Sequence, residues 1–274
     1  MRLDAHQHFW KFDPFRYTWM DDSMRVLQNN FLPQDLEKLL KENKFDGCIA
    51  VQADQSVEET NFLLQLAEAN AFIKGVVGWV DLMDEHIEQT LSKFSTYQKF
   101  KGIRHIVQAE PEGFMLQDRF LKGISKLQDF NLTYDILIYP NQLQEAYELV
   151  QMFPNQKFVI DHLAKPLIKS NKISNWKADI SKFSTHKNVS CKLSGLVTEA
   201  NWDTWKADDF KPYFDVIFEI FGPKRLLFGS DWPVCLLTAS YNQVVTIIEN
   251  YIGSLALDDQ KAIMGANTVE FYNI

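Results

Sequence analysis

The sequence predicts an α/β protein folded as one (β/α)8 barrel of the TIM type, with residues 1–274 forming a single domain. Three observations predict it. Short apolar runs recur roughly every 30 residues, the length of one βα unit. Amphipathic segments separate the runs, a pattern that favours a parallel sheet. The residues able to do chemistry fall just after these runs, where barrel active sites lie.

The first expected strand, Leu3–His8, contains His6-Gln7-His8. Alternate side chains of an extended strand share a face. Asp4, His6 and His8 are therefore expected to point one way, and Leu3, Ala5 and Gln7 the other. Two imidazoles on one face at a strand end can grip a metal ion or polarise a carbonyl. The bland alternative is two unrelated histidines. Residues 10–31 make too long a connection for a simple βα loop and are rich in aromatics, so they are expected to fold over the barrel mouth. Pro33 then opens a helix striped by Leu36, Leu39 and Leu40, because its missing N–H costs little at a first turn.

The second expected strand is Gly47–Gln52. Ser56-Val57-Glu58-Glu59 reads as a capping box ahead of Phe62, Leu63, Leu66 and Ala67. Strands are expected next at Ile73–Asp81, Lys101–Ile106, Thr133–Ile138, Lys157–Ile160, Val189–Lys192 and Leu226–Phe228. Helical patterns occupy Gln117–Phe130, Asn141–Phe153, Asp208–Phe221 and Asn242–Tyr251, and a closing helix begins over Asp258–Met264. Leu163–Trp176, with Pro166 and several lysines, is a second candidate lid. A doubly wound open sheet is the rival fold, but its Gly-rich phosphate turn is replaced here by His6-Gln7-His8-Phe9-Trp10.

Composition removes several function classes. A net charge of -8 and no basic stripe argue against nucleic-acid binding. No apolar run approaches the roughly 20 residues of a membrane span. Cys48, Cys191 and Cys235 lack metal-site spacing and read as buried thiols, so a cytoplasmic protein is the default expectation. Association into a homo-oligomer is left open.

His6, His8, His162 and Asp231 are the candidate catalytic set. A carboxylate near imidazoles can take a proton from water and create a nucleophile. The same four residues are the candidate ligands if a divalent ion is bound. For Asp231 the alternative is a turn cap beside Gly229, and for His162 a structural pair with Asp161. No Gly-x-Ser-x-Gly elbow is present. No lysine stands where it would evidently bridge two metals; the fourth strand reads Gly102-Ile103-Arg104-His105. Gln52, Arg104, His105 and Gln108, at strand ends, are candidates for binding substrate hydroxyls, and Trp10, Trp79 and Trp232 for apolar walls.

Asp4-Ala5-His6-Gln7-His8-Phe9-Trp10, Gly102-Ile103-Arg104-His105, Asp161-His162-Leu163-Ala164-Lys165-Pro166, Cys191 to Glu199 and Gly229-Ser230-Asp231-Trp232-Pro233-Val234-Cys235 resemble the sugar-lactonase branch of the amidohydrolase superfamily, closest to the L-fuconolactonase type. The resemblance runs nearly end to end. It implies a distorted (β/α)8 barrel that hydrolyses sugar-acid lactones. It matches His6 and His8 to the strand-1 pair, His162 to the strand-6 histidine and Asp231 to the strand-8 base. The wider superfamily has a further ligand histidine after strand 5, where this chain reads Tyr134-Asp135-Ile136-Leu137-Ile138-Tyr139. Relatives such as the pyrone dicarboxylate lactonases work without metal, so the expectation is no required cofactor, or one weakly bound divalent metal such as zinc. The expected substrate is a neutral hexono- or 6-deoxyhexonolactone, with Trp10 against the deoxy methyl. The alternatives are a rhamnono-, galactono- or dicarboxylate lactonase, a metal-dependent amidase or decarboxylase on the same fold, and a non-catalytic sugar-binding barrel.

Overall fold

In a computed structural model describing residues 1–274, eight strands lie side by side in chain order, each parallel to the next. They are β1 (Leu3–Gln7), β2 (Gly47–Val51), β3 (Ile73–Gly78), β4 (Phe100–Ile106), β5 (Thr133–Leu137), β6 (Phe158–Ile160), β7 (Val189–Leu193) and β8 (Leu226–Phe228). All eight overlap the expected runs, although β3 ends at Gly78, short of the expected Asp81. These strands read as near-continuous apolar stretches because both their faces are covered. Ala5, Ile49, Val51, Val77, Val159 and Leu227 fill the barrel with Phe271 and Tyr272. Cys48, Ala50, Val76, Phe158, Ile160 and Phe228 face the surrounding helices. No helix is long and apolar enough to cross a membrane.

The helices are α1 (Pro33–Glu42), α2 (Val57–Ala69), α3 (Ile87–Phe94), α4 (Asp118–Leu127), α5 (Leu143–Met152), α6 (Ser174–Ile180), α7 (Leu196–Glu199), α8 (Lys211–Phe221), α9 (Tyr241–Ile252), α10 (Leu257–Lys261) and α11 (Asn267–Tyr272). The short α3, α6 and α7 were not expected. Each has too few turns to show a sustained apolar stripe. The cap of α2 forms differently from the expected box. Ser56 Oγ accepts from Glu59 N at 3.2 Å, but the Glu59 carboxylate reaches past Ser56 to accept from Ala53 N at 3.0 Å and Asp54 N at 2.5 Å. It therefore pins the loop after β2.

Two departures from ideal geometry place the site. The first is a bulge in β1. Asp4 pairs with Cys48 and Gln7 with Ala50, so Ala5 and His6 together oppose Ile49. The simple alternation expected for this strand is thereby broken. Ala5 turns inward, as does His6, whereas Asp4 faces outward and accepts from Tyr241 Oη of α9 at 3.1 Å. Gln7 also faces outward, with its amide on Cys48 Sγ. The second departure is the seam between β8 and β1. No strand ladder joins them; residues just beyond β8 do. Asp231 N donates to His6 O at 2.8 Å, His8 N to Trp232 O at 2.7 Å, and Ser230 N to Asp4 Oδ1 at 2.9 Å.

The long connection after β1 folds back on itself, with Trp10 and Phe31 exchanging backbone hydrogen bonds of 3.0 and 2.9 Å. It covers the mouth as expected, bringing Trp19 and Met24 over the barrel. Residues 163–176 are tied down by Trp176 Nε1, which donates to Leu163 O at 2.7 Å.

Candidate active site

At the C-terminal ends of the strands lies a cavity of about 570 Å³, lined in part by His8, Arg104, His162 and Asp231. Beneath it three imidazoles converge on one oxygen. His8 Nε2 is 3.3 Å from Asp231 Oδ1, His6 Nε2 3.8 Å and His162 Nε2 3.9 Å. His6 Nε2 and His8 Nε2 are 3.2 Å apart. In each ring the other nitrogen has a partner behind it: His6 Nδ1 lies 3.1 Å from Lys192 Nζ and 3.3 Å from Asp161 Oδ1, His8 Nδ1 2.8 Å from Val51 O, and His162 Nδ1 2.8 Å from Ser194 Oγ. A carbonyl only accepts, so His8 Nδ1 carries a hydrogen, and a neutral His8 aims the lone pair of Nε2 at Asp231.

The backbone that presents these groups is strained. His162, Leu163, Ala164 and Lys165 all have φ between 48° and 56°, and Asp231 has φ of 57°. Left-handed backbone costs roughly 1–2 kcal/mol per non-glycine residue. Such strain clusters at functional sites, where the surrounding structure over-determines it. Gly195 makes room for His162: a Cβ there would lie 2.4 Å from His162 Nδ1.

Burial governs the ionisation. It pulls His6 well below the usual imidazole range, and His162 down to about 4, although Asp231 and Asp161 favour the charged ring. Both are neutral at pH 7. Burial would raise the Asp231 carboxyl, but His162, a His8 hydrogen bond and the His6 and His8 rings outweigh it and hold Asp231 below its ordinary range. Asp231 is therefore a carboxylate at neutral pH.

Under the histidines lies a charged layer that sequence reasoning missed. Lys192, on β7, is fully buried, with Nζ 2.5 Å from Asp135 Oδ2, 3.0 Å from Asp161 Oδ1 and 3.1 Å from His6 Nδ1. Tyr272 Oη, from α11, donates to Asp135 Oδ2 at 2.8 Å. Arg104 Nη1 donates to Asp161 Oδ2 at 3.0 Å and lies 3.2 Å from His6 Nε2. Asp161, raised by burial alone, is held far below its usual range by Lys192, His6 and Arg104. A signal was available: Lys192 and Asp135 are single charges inside apolar strands, and such groups are buried only when paired.

The expected substrate-binding residues divide. Arg104 and Gln108 line the cavity. Gln52, His105 and Trp10 do not, for three reasons. Gln52 is buried below, its amide donating to Arg104 O at 3.1 Å. His105 follows Arg104 by one residue and so takes the opposite face of β4, between Trp79 Nε1 at 3.2 Å and Glu110 Oε1 at 2.8 Å. Trp10 is buried behind the loop, donating to Asn29 O at 2.9 Å, and Trp19 packs edge-on against it and takes the cavity wall instead. Trp232 is likewise buried, edge-on to Phe9 and Phe31. All three cysteines are free and buried.

Residues 3–274 match the family described as Amidohydrolase. The chain is 35% identical over 284 residues to L-fucono-1,5-lactonase of Burkholderia multivorans, covering 99% of this chain and 96% of that protein. It is 32% identical over 283 residues to L-fucono-1,5-lactonase of Burkholderia ambifaria, covering 100% and 96%. A crystal structure of a Burkholderia multivorans amidohydrolase with bound zinc superposes with a TM-score of 0.97 at 35% identity, covering 100% of this chain and 99% of that one.

Proposed function

Because the chain belongs to the amidohydrolase family, we propose that it hydrolyses a sugar-acid lactone of the L-fuconolactone type to the open aldonic acid. The observation that carries this reading is the convergence of His6, His8 and His162 on one oxygen of Asp231 at the floor of a cavity with mixed walls. Asp231 takes a proton from water as the oxygen of that water adds to the lactone carbonyl carbon. Arg104, fixed by Asp161, supplies positive charge on this side of the site. The ring C–O bond then breaks, and the departing ring oxygen takes the proton from Asp231 to become a hydroxyl group. His6 and His162, neutral at pH 7, set the position and field of Asp231 rather than act as cations.

The donor set also fits one divalent ion. A His8 lone pair facing a carboxylate oxygen at 3.3 Å calls for a proton or a cation between them. Separations of 3.2 to 3.9 Å among these atoms bracket the edge of a tetrahedron with bonds of about 2.1 Å, which is about 3.4 Å. His6, His8 and Asp231 would hold the ion, with His162 adjoining, and the His8 Nδ1–H donated to Val51 O is the backing a ligand histidine requires. Bound there, it supplies Lewis-acid polarisation of the carbonyl. Arg104 and Lys192, each within 3.2 Å of His6, oppose a dication, so binding is weak. We place the protein in the cytoplasm, a reading supported by its three free thiols.

The test is kcat/KM for L-fucono-, L-rhamnono-, D-arabinono- and L-galactonolactone beside a pyrone dicarboxylate, followed with a pH indicator. Turnover of aldonolactones with little of the dicarboxylate is expected, because the wall sets Glu199 and Asp231 against Arg104 and Lys165 and so has no surplus of cations for two carboxylates. No hydrolysis of any aldonolactone overturns the reading.

A further inference from the structure

The cavity wall mixes polar and apolar groups, and the strand order says where each stands. Loops after β4 to β7 contribute Gln108, Tyr139, Lys165 and Glu199; loops after β8 and β1 contribute Val234, Leu237, Trp19 and Met24. Glu199 borders the second sector, since α7 packs against the turn that carries Val234 and Leu237, while Gln108, Tyr139 and Lys165 lie farther round the ring. A hydroxylated ring with one apolar end matches such a wall. Within the polar sector Lys165 and Glu199 stand out. Both are largely covered yet reach the cavity, with side chains 22% and 21% exposed. Neither is hydrogen-bonded within the Asp231–histidine cluster, although Lys165 acts through space on His162 and Asp231 on Glu199. Lys165 is the last residue of the left-handed turn that begins with His162, and Glu199 ends α7, which starts beside Gly195. The backbone that places His162 therefore also places this pair.

The separation is informative. Lys165 Nζ lies 3.4 Å from Glu199 Oε1, longer than the roughly 2.7–2.9 Å of a closed charge-assisted hydrogen bond. The ammonium keeps hydrogens free and the carboxylate keeps lone pairs free. A sugar hydroxyl needs both, since it donates once and accepts. Two adjacent hydroxyls, one on each partner, use the pair equally well. Tyr139, whose ring centroid is 5.8 Å from Lys165 Nζ, limits the swing of the lysine.

We propose that Lys165 and Glu199 form a polyol-reading subsite, which selects lactones by the hydroxyls remote from the scissile ester. This rests on the lactonase reading above. The class of ligand is a neutral polyhydroxylated lactone. A single carboxylate at the same place satisfies Lys165 but not Glu199, and a ring without hydroxyls leaves both undersatisfied.

The test compares L-fuconolactone with δ-valerolactone, which has the same ester ring and no hydroxyls, in the unmodified protein, Lys165→Met and Glu199→Gln. The expected result is that the ratio of the two kcat/KM values falls at least about tenfold in each variant, mainly through KM for the sugar lactone. Glu199→Gln keeps the shape of the side chain and Lys165→Met keeps its stem; melting temperatures confirm the fold. An unchanged ratio overturns the subsite, and so does an equal loss on both lactones, which is what a purely structural pair would give. Absence of turnover on both lactones by the unmodified protein overturns the lactonase reading itself, and the subsite with it.

Discussion

Asp231 and His6 meet twice: the Asp231 amide donates to the His6 carbonyl at 2.8 Å, and the Asp231 carboxylate faces the His6 ring at 3.8 Å. The first contact closes the barrel between β8 and β1. The second belongs to the site. Closing the fold and assembling the reactive groups are thus one event, and a change at either residue acts on both. The proposed chemistry can still be separated from the fold by substitutions that keep shape.

Asp231→Asn is such a substitution. It keeps the backbone amide and the size of the side chain and removes the basic oxygen. Lactone hydrolysis is expected to fall by at least about a hundredfold, with an unchanged circular dichroism spectrum. Near-normal turnover in the folded variant removes Asp231 from the role of base.

Gly195→Ala is expected to displace His162. Gly195 has φ of 65°, and an added Cβ would lie 2.4 Å from His162 Nδ1 and 2.6 Å from its Cγ. The strained backbone costs on the order of 1 kcal/mol of stability. The larger effect is on kcat/KM, expected to drop about a hundredfold, since misplacing a reactive group by about 1 Å has that consequence. A crystal structure of the variant with His162 unmoved and full activity sinks this account.

Lys192→Met strips the partner from two buried carboxylates, Asp135 and Asp161. Breaking a buried pair on one side costs about 3–5 kcal/mol. Urea denaturation is expected to show a loss of that size. Adding Asp135→Asn to the variant is expected to recover part of it, because one unpaired charge is then gone. If the double variant is less stable than Lys192→Met alone, the layer is not electrostatically coupled in this way.

The buried Glu59 predicts a pH dependence of stability. Burial raises its carboxyl from 4.5 to about 8, against the hydrogen bonds from Asp54 and Ala53. Its folded-state value is raised, so its contribution is fully present below about pH 4.5 and declines as pH rises towards 8. Glu59→Gln is expected to flatten the fall in melting temperature between those limits. Parallel profiles for the two proteins count against it.

Exhaustive chelation is expected to leave a substantial fraction of lactonase activity, with zinc or manganese restoring the rest. Arg104 and Lys192 already flank His6 with positive charge. Complete loss on chelation, with full recovery on adding metal, shows that the flanking cations do not weaken the site.

Much of this was legible in the sequence. The eight strands stood out because burial on both faces makes each a continuous apolar run. His6, His8, His162 and Asp231 stood out because polar residues at the ends of such runs have few structural uses. The bulge at Ala5-His6 was not legible, since it is a property of register against β2. The exchange of Trp10 for Trp19 depends on how one loop folds back at Phe31. Lys192 and Asp135 are each a lone charge among apolar neighbours, and only the closed barrel brings them together. The left-handed turn leaves no trace, because none of His162, Leu163, Ala164 and Lys165 is glycine or asparagine.

That turn bears on how the protein can be re-engineered. Four successive residues are held in a backbone their own chemistry disfavours, so a search that scores thermal stability alone will favour replacing them with glycine or rebuilding the loop as right-handed backbone. Either change frees the segment that carries both His162 and Lys165. The most tempting place to make this protein hardier is therefore the place where added hardiness erodes selectivity and rate together, and stabilising substitutions belong on the helices outside the barrel.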